Sequence, residues 1–219
     1  MPVLLFSVIA HEFAHGYAAL RQGDDTALML GRLTWNPIKH IDPFMTVILP
    51  IMLAFIHAPI LGGAKPVPVN PRKYRNFKRG DIIVSLAGVF TNLLVAIACA
   101  LLLAVFGFAA RLLPSLHPSL GILQAMMILG VRLNLILIAF NLIPIPPLDG
   151  SHVMKYLLPP SWSIKYVQFG RMGVGLLIAL MYLAPGALSF WLTPADTVTY
   201  ATINAMRGII LPSTQQWLQ

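Results

Sequence analysis

Charge is what this sequence has least of. Only 10% of its 219 residues are charged while 58% are hydrophobic, and mean hydropathy is +0.78. A soluble domain carries about 25% charged residues. A soluble globular fold is therefore excluded, and an integral membrane protein with several spans is implied. Cysteine is nearly absent too. The lone Cys99 lies in an apolar run, so no internal disulfide forms, and it says nothing of redox compartment. Acidic residues number seven, and Glu12 is the only glutamate. No basic n-region precedes the first apolar run, so no cleavable signal is expected. Internal repeats, low-complexity stretches and a soluble insertion long enough for an extra domain are all missing. The length implies one or at most two domains. The expectation is one domain over 1–219, with a core at 1–158 and C-terminal helices at 159–219.

The positive charge that is present is concentrated. Net charge is +8, and Lys65, Arg72, Lys73, Arg75, Lys78 and Arg79 fall within one short loop. A cytoplasmic loop obeying the positive-inside rule accounts for them, and a nucleic-acid partner is not expected.

The chain is organised around residues 1–20, MPVLLFSVIAHEFAHGYAAL. An ionisable group inside a membrane span costs several kcal/mol unless paired or metal-bound, so such groups are functional by default. Here His11, Glu12 and His15 fall within five residues of an apolar helix. Residues four apart share a helix face, so His11 and His15 can point two imidazoles at one zinc ion. Glu12 then sits beside the metal, free to take a proton from water. By chance alone HExxH is a modest signal; inside an apolar helix chance is a poorer account of it.

Residues 22–42 are polar and turn-rich, with short strands expected around 27–35 from the alternation of Leu28, Leu30 and Leu33. Residues 44–61 are apolar with Pro50 and Pro59 inside. Cations flank both ends, so a re-entrant hairpin bending near Pro50 is expected, with a simple span as the alternative. Residues 66–76, PVPVNPRKYRN, read as an extended connector. Apolar runs at 82–110 and 120–142 read as spans, and the stretch NLIPIPPLDG at 141–150 as a broken helix. Irregular backbone at membrane depth is tolerated only where it is buried in protein or lines a cavity, which makes Asn141 and Asp149 candidates. Residues 172–192 read as another span and 198–211 as a last short helix. The fold class is an all-α polytopic membrane protein, with about five to six membrane helices or re-entrant segments and short strands at the membrane face.

A zinc enzyme of this kind uses three protein ligands and leaves a position open for water. A distant glutamate is excluded, since Glu12 is already in the motif. The extended HExxHxxGxxH pattern fails at Ala18 and Arg21. Asp24, Asp25, Asp42, Asp81 and Asp196 sit in loops or at span ends, where a solvated face or a helix cap explains them. His40 and His117 are likewise in polar settings. Asp149, His57 and His152 remain. Asp149, after the broken helix, is the expected third ligand, and His152 is a candidate for the shell around it.

These residues resemble the site-2 protease family of intramembrane zinc metalloproteases, in its compact, mostly bacterial form without an inserted peptide-binding domain. The match runs through HEFAHGYAA at 11–19, GDDTALMLGRLTWNPIKHIDP at 23–43, AKPVPVNPRKYRN at 64–76, AGVFTN at 87–92 and FNLIPIPPLDGSHV at 140–153. The resemblance implies one zinc ion on His11, His15 and Asp149, with Glu12 as general base. It also places Asn141 and Asn92 near the substrate. It implies cleavage of single-span membrane proteins within or near the bilayer, often after another, site-1-type protease has trimmed them, with release of a signalling fragment. A bacterial plasma membrane with the active site towards the cytoplasm follows, as does an edge strand that pairs with substrate. Oligomeric state is left open. Two departures stand out: Val89 replaces the family's proline, and only ten residues precede His11. The rival reading from another class is a metal-ion transporter coordinating its cargo through Glu12 and Asp149. Transporters often show paired repeats with matching interrupted helices; here the motif helix and the broken helix are not alike.

Overall fold

A computed structural model describes residues 2–48, 51, 52, 55 and 63–215. It is helical throughout, and no strand occurs among the described residues. The helices in order are α1 (Pro2–Gln22), α2 (Thr26–Met29), α3 (Phe77–Leu112), α4 (His117–Asn141), α5 (Asp149–Leu157), α6 (Pro160–Phe169), α7 (Gly173–Leu183), α8 (Pro185–Ala205) and α9 (Pro212–Gln215). Among the described residues, three segments are long and apolar enough to cross a membrane: Pro2–Gln22, Phe77–Leu112 and Pro114–Asn141. The bent pair α6 and α7, meeting at 81°, passes the same test when counted as one span. The chain is thus an all-α polytopic protein, with fewer crossing segments described than the five to six expected. The expected re-entrant hairpin at 44–61 lies largely outside the described residues; its first part, Pro43–Ile48, is a short π-helical stretch.

At about 1.5 Å per residue α3 is about 54 Å long, well beyond a hydrocarbon layer of about 30 Å. Its charged N-terminal end, with Lys78, Arg79 and Asp81, therefore need not enter the apolar layer.

Two compact units form by contact. One comprises Met1–Ser7, Asn92–Phe140 and Ser189–Gln219; the other comprises Val8–Thr91 and Asn141–Leu188. The first is centred on Leu103, Ile128, Ile203 and Ile210. Two of its buried polar side chains bond to nearby groups. Gln124 donates to the Ile209 carbonyl at 3.0 Å and accepts from the Leu211 N–H at 2.9 Å. Asn134 donates to Ser7 Oγ and to the Gly130 carbonyl, both at 2.8 Å.

The second unit, which holds the HExxH motif, packs Ala19, Tyr74 and Val84 together. Helix α1 stops at Gly23, whose φ of 107° a side chain rarely adopts. The N–H of Gly23 returns to the Leu20 carbonyl and that of Asp24 to the Ala19 carbonyl, a Schellman ending. Asp24 is then fully buried. Its carboxylate accepts from the N–H and hydroxyl of Thr26 and from the Asn70 N–H. That starts α2 and pins the extended connector to the end of α1.

Two expectations are corrected. The strands at 27–35 are instead α2 and a turn at Gly31. Asp24 captures the first N–H of a helical turn, and Leu28 and Leu30 are exposed, so their alternation marks no buried sheet face. The span at 172–192 is broken at Ala184, with φ −139° and ψ 54°. Pro185 follows, and a residue before proline is pushed out of the helical region. Beyond the break α8 runs on to Ala205, so no separate helix starts at 198. The hydroxyls of Thr193, Thr197, Thr199 and Thr202 donate back one turn along it.

The broken helix is present as expected. Pro144, Pro146 and Pro147 stop α4, since proline lacks the N–H a helix interior needs, and α5 opens at Asp149. A Cβ on Gly150 would lie 2.3 Å from the Leu142 carbonyl oxygen, so only glycine lets α5 turn so tightly against the residues before it.

Candidate metal centre

The helical period places His11 and His15 on one face of α1, and their Nε2 atoms lie 2.9 Å apart. Asp149 Oδ2, from the first residue of α5, lies 3.3 Å from His11 Nε2 and 3.5 Å from His15 Nε2. Among the described residues these three form the one group of His, Cys, Asp or Glu side chains placed to hold a metal ion.

The donor set fits zinc. Tetrahedral ligands at about 2.0–2.1 Å from zinc stand about 3.3–3.4 Å from one another, close to the three separations found. His15 Nδ1 lies 2.7 Å from the Val84 carbonyl oxygen. The ring therefore carries its proton on Nδ1, and its Nε2 lone pair faces the group. Asp149 Oδ2 is buried and makes no hydrogen bond. A buried carboxylate oxygen facing imidazole nitrogens without a hydrogen bond is the arrangement a cation satisfies.

Glu12 lies outside this group. Its Oε2 accepts a hydrogen bond of 2.8 Å from the Val67 N–H, in the connector. Pro66 and Pro68 have no N–H, so Val67 is the one donor of that tripeptide.

Helix α3 supplies a face that sequence reasoning missed. Asp81, Val84 and Gly88 recur at spacings of three and four and so share one side. The Val84 carbonyl holds His15. A Cβ on Gly88 would lie 2.5 Å from His11 Cε1, 2.6 Å from His11 Nε2 and 2.6 Å from His15 Nε2. Gly88 is thus the space into which both imidazoles fit. Of the other candidates, His57 lies outside the described residues. His152 turns to Asp81 at 3.1 Å and is not in the metal group. Asn141 ends α4, half-buried, and Asn92 is fully buried in the α3 portion that belongs to the other unit; neither belongs to the group.

Helices long and apolar enough to span a bilayer thus accompany a His–His–Asp group and an adjacent glutamate, the residue types from which metallohydrolases are built. The sequence profile of Peptidase family M50 matches residues 1–120 and 117–182. The chain belongs to that family, the site-2 proteases, and is a zinc-dependent metalloprotease integral to the membrane. It is 37% identical over 196 residues to YwhC of Bacillus subtilis, covering 87% of this chain and 85% of that one. It is 31% identical over 189 residues to Rip2 of Mycolicibacterium smegmatis, covering 85% and 67%. It is 30% identical over 118 residues to MJ0611 of Methanocaldococcus jannaschii, covering 52% and 54%. The names of all three assign them provisionally to the zinc metalloproteases. No solved structure matches the chain.

Proposed function

We propose that the protein hydrolyses peptide bonds of single-span membrane proteins within or near the bilayer, as a step of regulated intramembrane proteolysis. His11, His15 and Asp149 hold one zinc ion per chain, and Glu12 is the general base. The observation that carries this is the near-tetrahedral spacing of the three donor atoms, with Glu12 held to one side by the Val67 N–H.

A zinc ion held by His11, His15 and Asp149 would supply Lewis acidity, polarising the scissile carbonyl and making the attacking water acidic enough to lose a proton near neutral pH. Glu12 accepts that proton as the oxygen attacks the carbonyl carbon, then delivers it to the departing amide nitrogen so that a neutral amine leaves. The Val67 N–H fixes one Glu12 oxygen and so limits the orientations of the carboxylate. Asn141 is assigned to the substrate backbone, whereas Asn92, fully buried, is assigned to packing. The same reading puts the protein in the bacterial plasma membrane with its site towards the cytoplasm, where the 65–79 cations are favoured. A site-1-type protease acts first on the shared substrate. Coordination by Glu12, as a transporter would need, is disfavoured by its bond to Val67.

The test uses the full chain in liposomes with an epitope-tagged single-span fusion protein whose span contains Gly and Pro. Wild type should cut within or beside the span, and Glu12→Gln should not. Equal cutting by both would refute the assignment of Glu12.

A further inference from the structure

Asp81 is a buried carboxylate with three side-chain partners in the unit that holds the metal group, and the chemistry above does not use it. It is 2% exposed. His152 Nδ1 lies 3.1 Å from its Oδ1, while Lys155 Nζ at 2.5 Å and the Tyr156 hydroxyl at 2.9 Å both reach Oδ2. All three partners are on α5, the helix that opens with Asp149. Asp81 itself lies on the α3 face that carries Val84 and Gly88. One face of one helix thus touches His15, borders both imidazoles and grips the helix bearing the acidic ligand.

Helix α5 needs such a grip. It has nine residues, fewer than the about 12–15 at which a helix becomes marginally stable in isolation. It also follows a proline-rich stretch with no helical hydrogen bonds to continue. We propose that Asp81 is a positioning residue for the metal centre. By fastening α5 to α3 through His152, Lys155 and Tyr156, it fixes the place of the Asp149 carboxylate against His11 and His15. This rests on the reading of those three residues as the zinc site.

The test is zinc retention by the purified full-length protein against graded chelator. Wild type is compared with Asp81→Asn, Asp81→Glu and Tyr156→Phe, alongside the visible spectrum of each protein loaded with cobalt(II). Helix content by circular dichroism checks the fold. Asp81→Asn should weaken retention about tenfold, the lower end of the effect of losing a group bonded directly to a metal ligand, because Asp81 acts through α5. It should alter the cobalt bands and lower kcat with little change in KM. Asp81→Glu should recover part of the loss, and Tyr156→Phe should cost a few-fold. A folded Asp81→Asn with the wild-type chelator midpoint and cobalt spectrum overturns the inference. If that variant does not fold, Tyr156→Phe and Lys155→Met decide: weakened retention supports the role, and unchanged retention in both overturns it. A wild type that takes up no zinc overturns the metal-centre reading and this inference with it.

Discussion

Replacing Gly88 by alanine adds one methyl group at the point where both imidazoles lie closest to α3. The new Cβ would sit 2.5–2.6 Å from His11 and His15 ring atoms, where ordinary contact begins at 3.4 Å. Each ring must retreat by about 0.8–0.9 Å, several times the about 0.2 Å tolerance of a metal–ligand distance. His15 cannot retreat without stretching its 2.7 Å bond to the Val84 carbonyl, and His11 is buried. A misplacement of about 1 Å costs on the order of 100-fold in rate, or about 2.7 kcal/mol. Gly88→Ala should therefore slow cleavage of the reporter by about 100-fold and weaken zinc retention, with helix content unchanged. Metal content is read by mass spectrometry after dialysis against graded chelator. Gly175→Ala is the control, because a Cβ there meets nothing within 4 Å. A Gly88→Ala protein that holds zinc as tightly as the Gly175→Ala control would refute the placement of both histidines against α3.

Other perturbations separate the parts of the site. Val67→Pro removes the N–H that Glu12 accepts while the flanking prolines keep the chain extended; a hydrogen bond to a charged group is worth about 1.5–3 kcal/mol. Its kcat should fall at least about tenfold below that of Val67→Ala with zinc content unchanged, and equal kcat values would mean that the connector does not position Glu12. Asp24→Ala leaves the Asn70 and Thr26 N–H groups without their acceptor, at about 1–3 kcal/mol each. It should lower the unfolding temperature and open the chain to trypsin at Arg72, Lys73 and Arg75; an unchanged digestion pattern would count against the latch. The Arg132–Asp196 pair is 3.4 Å apart with side chains 50% and 39% exposed. Breaking it with Asp196→Asn should change stability by under about 1 kcal/mol, and a larger loss would show that the pair is shielded from water.

The metal group was legible in the sequence because two of its members are local. The four-residue spacing of His11 and His15 declares itself on any helix, and the scarcity of acids left few choices for the third position. The supporting face was not legible for physical reasons. Val84 acts through a backbone carbonyl, Val67 through a backbone N–H, and Gly88 through the side chain it lacks. None of these leaves a signature in residue type. By sequence position alone Asp24 and Asp81 read as solvated or capping residues, yet both are buried, because their partners on the connector and on α5 are distant in sequence. Strands do not form at 27–35 because Asp24 starts a helical turn there, and Leu28 and Leu30 are exposed rather than lining a sheet. The break at Ala184–Pro185 was readable, since proline restricts the residue before it, but the apolar run on either side outweighed it.

The most direct test of the central claim is the zinc content of the wild-type protein beside Glu12→Gln, His15→Ala and Asp149→Ala. The account predicts about one zinc in wild type and in Glu12→Gln, with cleavage lost in the latter, and loss of zinc in the other two. If Glu12→Gln loses the metal as readily as His15→Ala and Asp149→Ala, Glu12 is a ligand rather than a base, and the proposed mechanism is wrong.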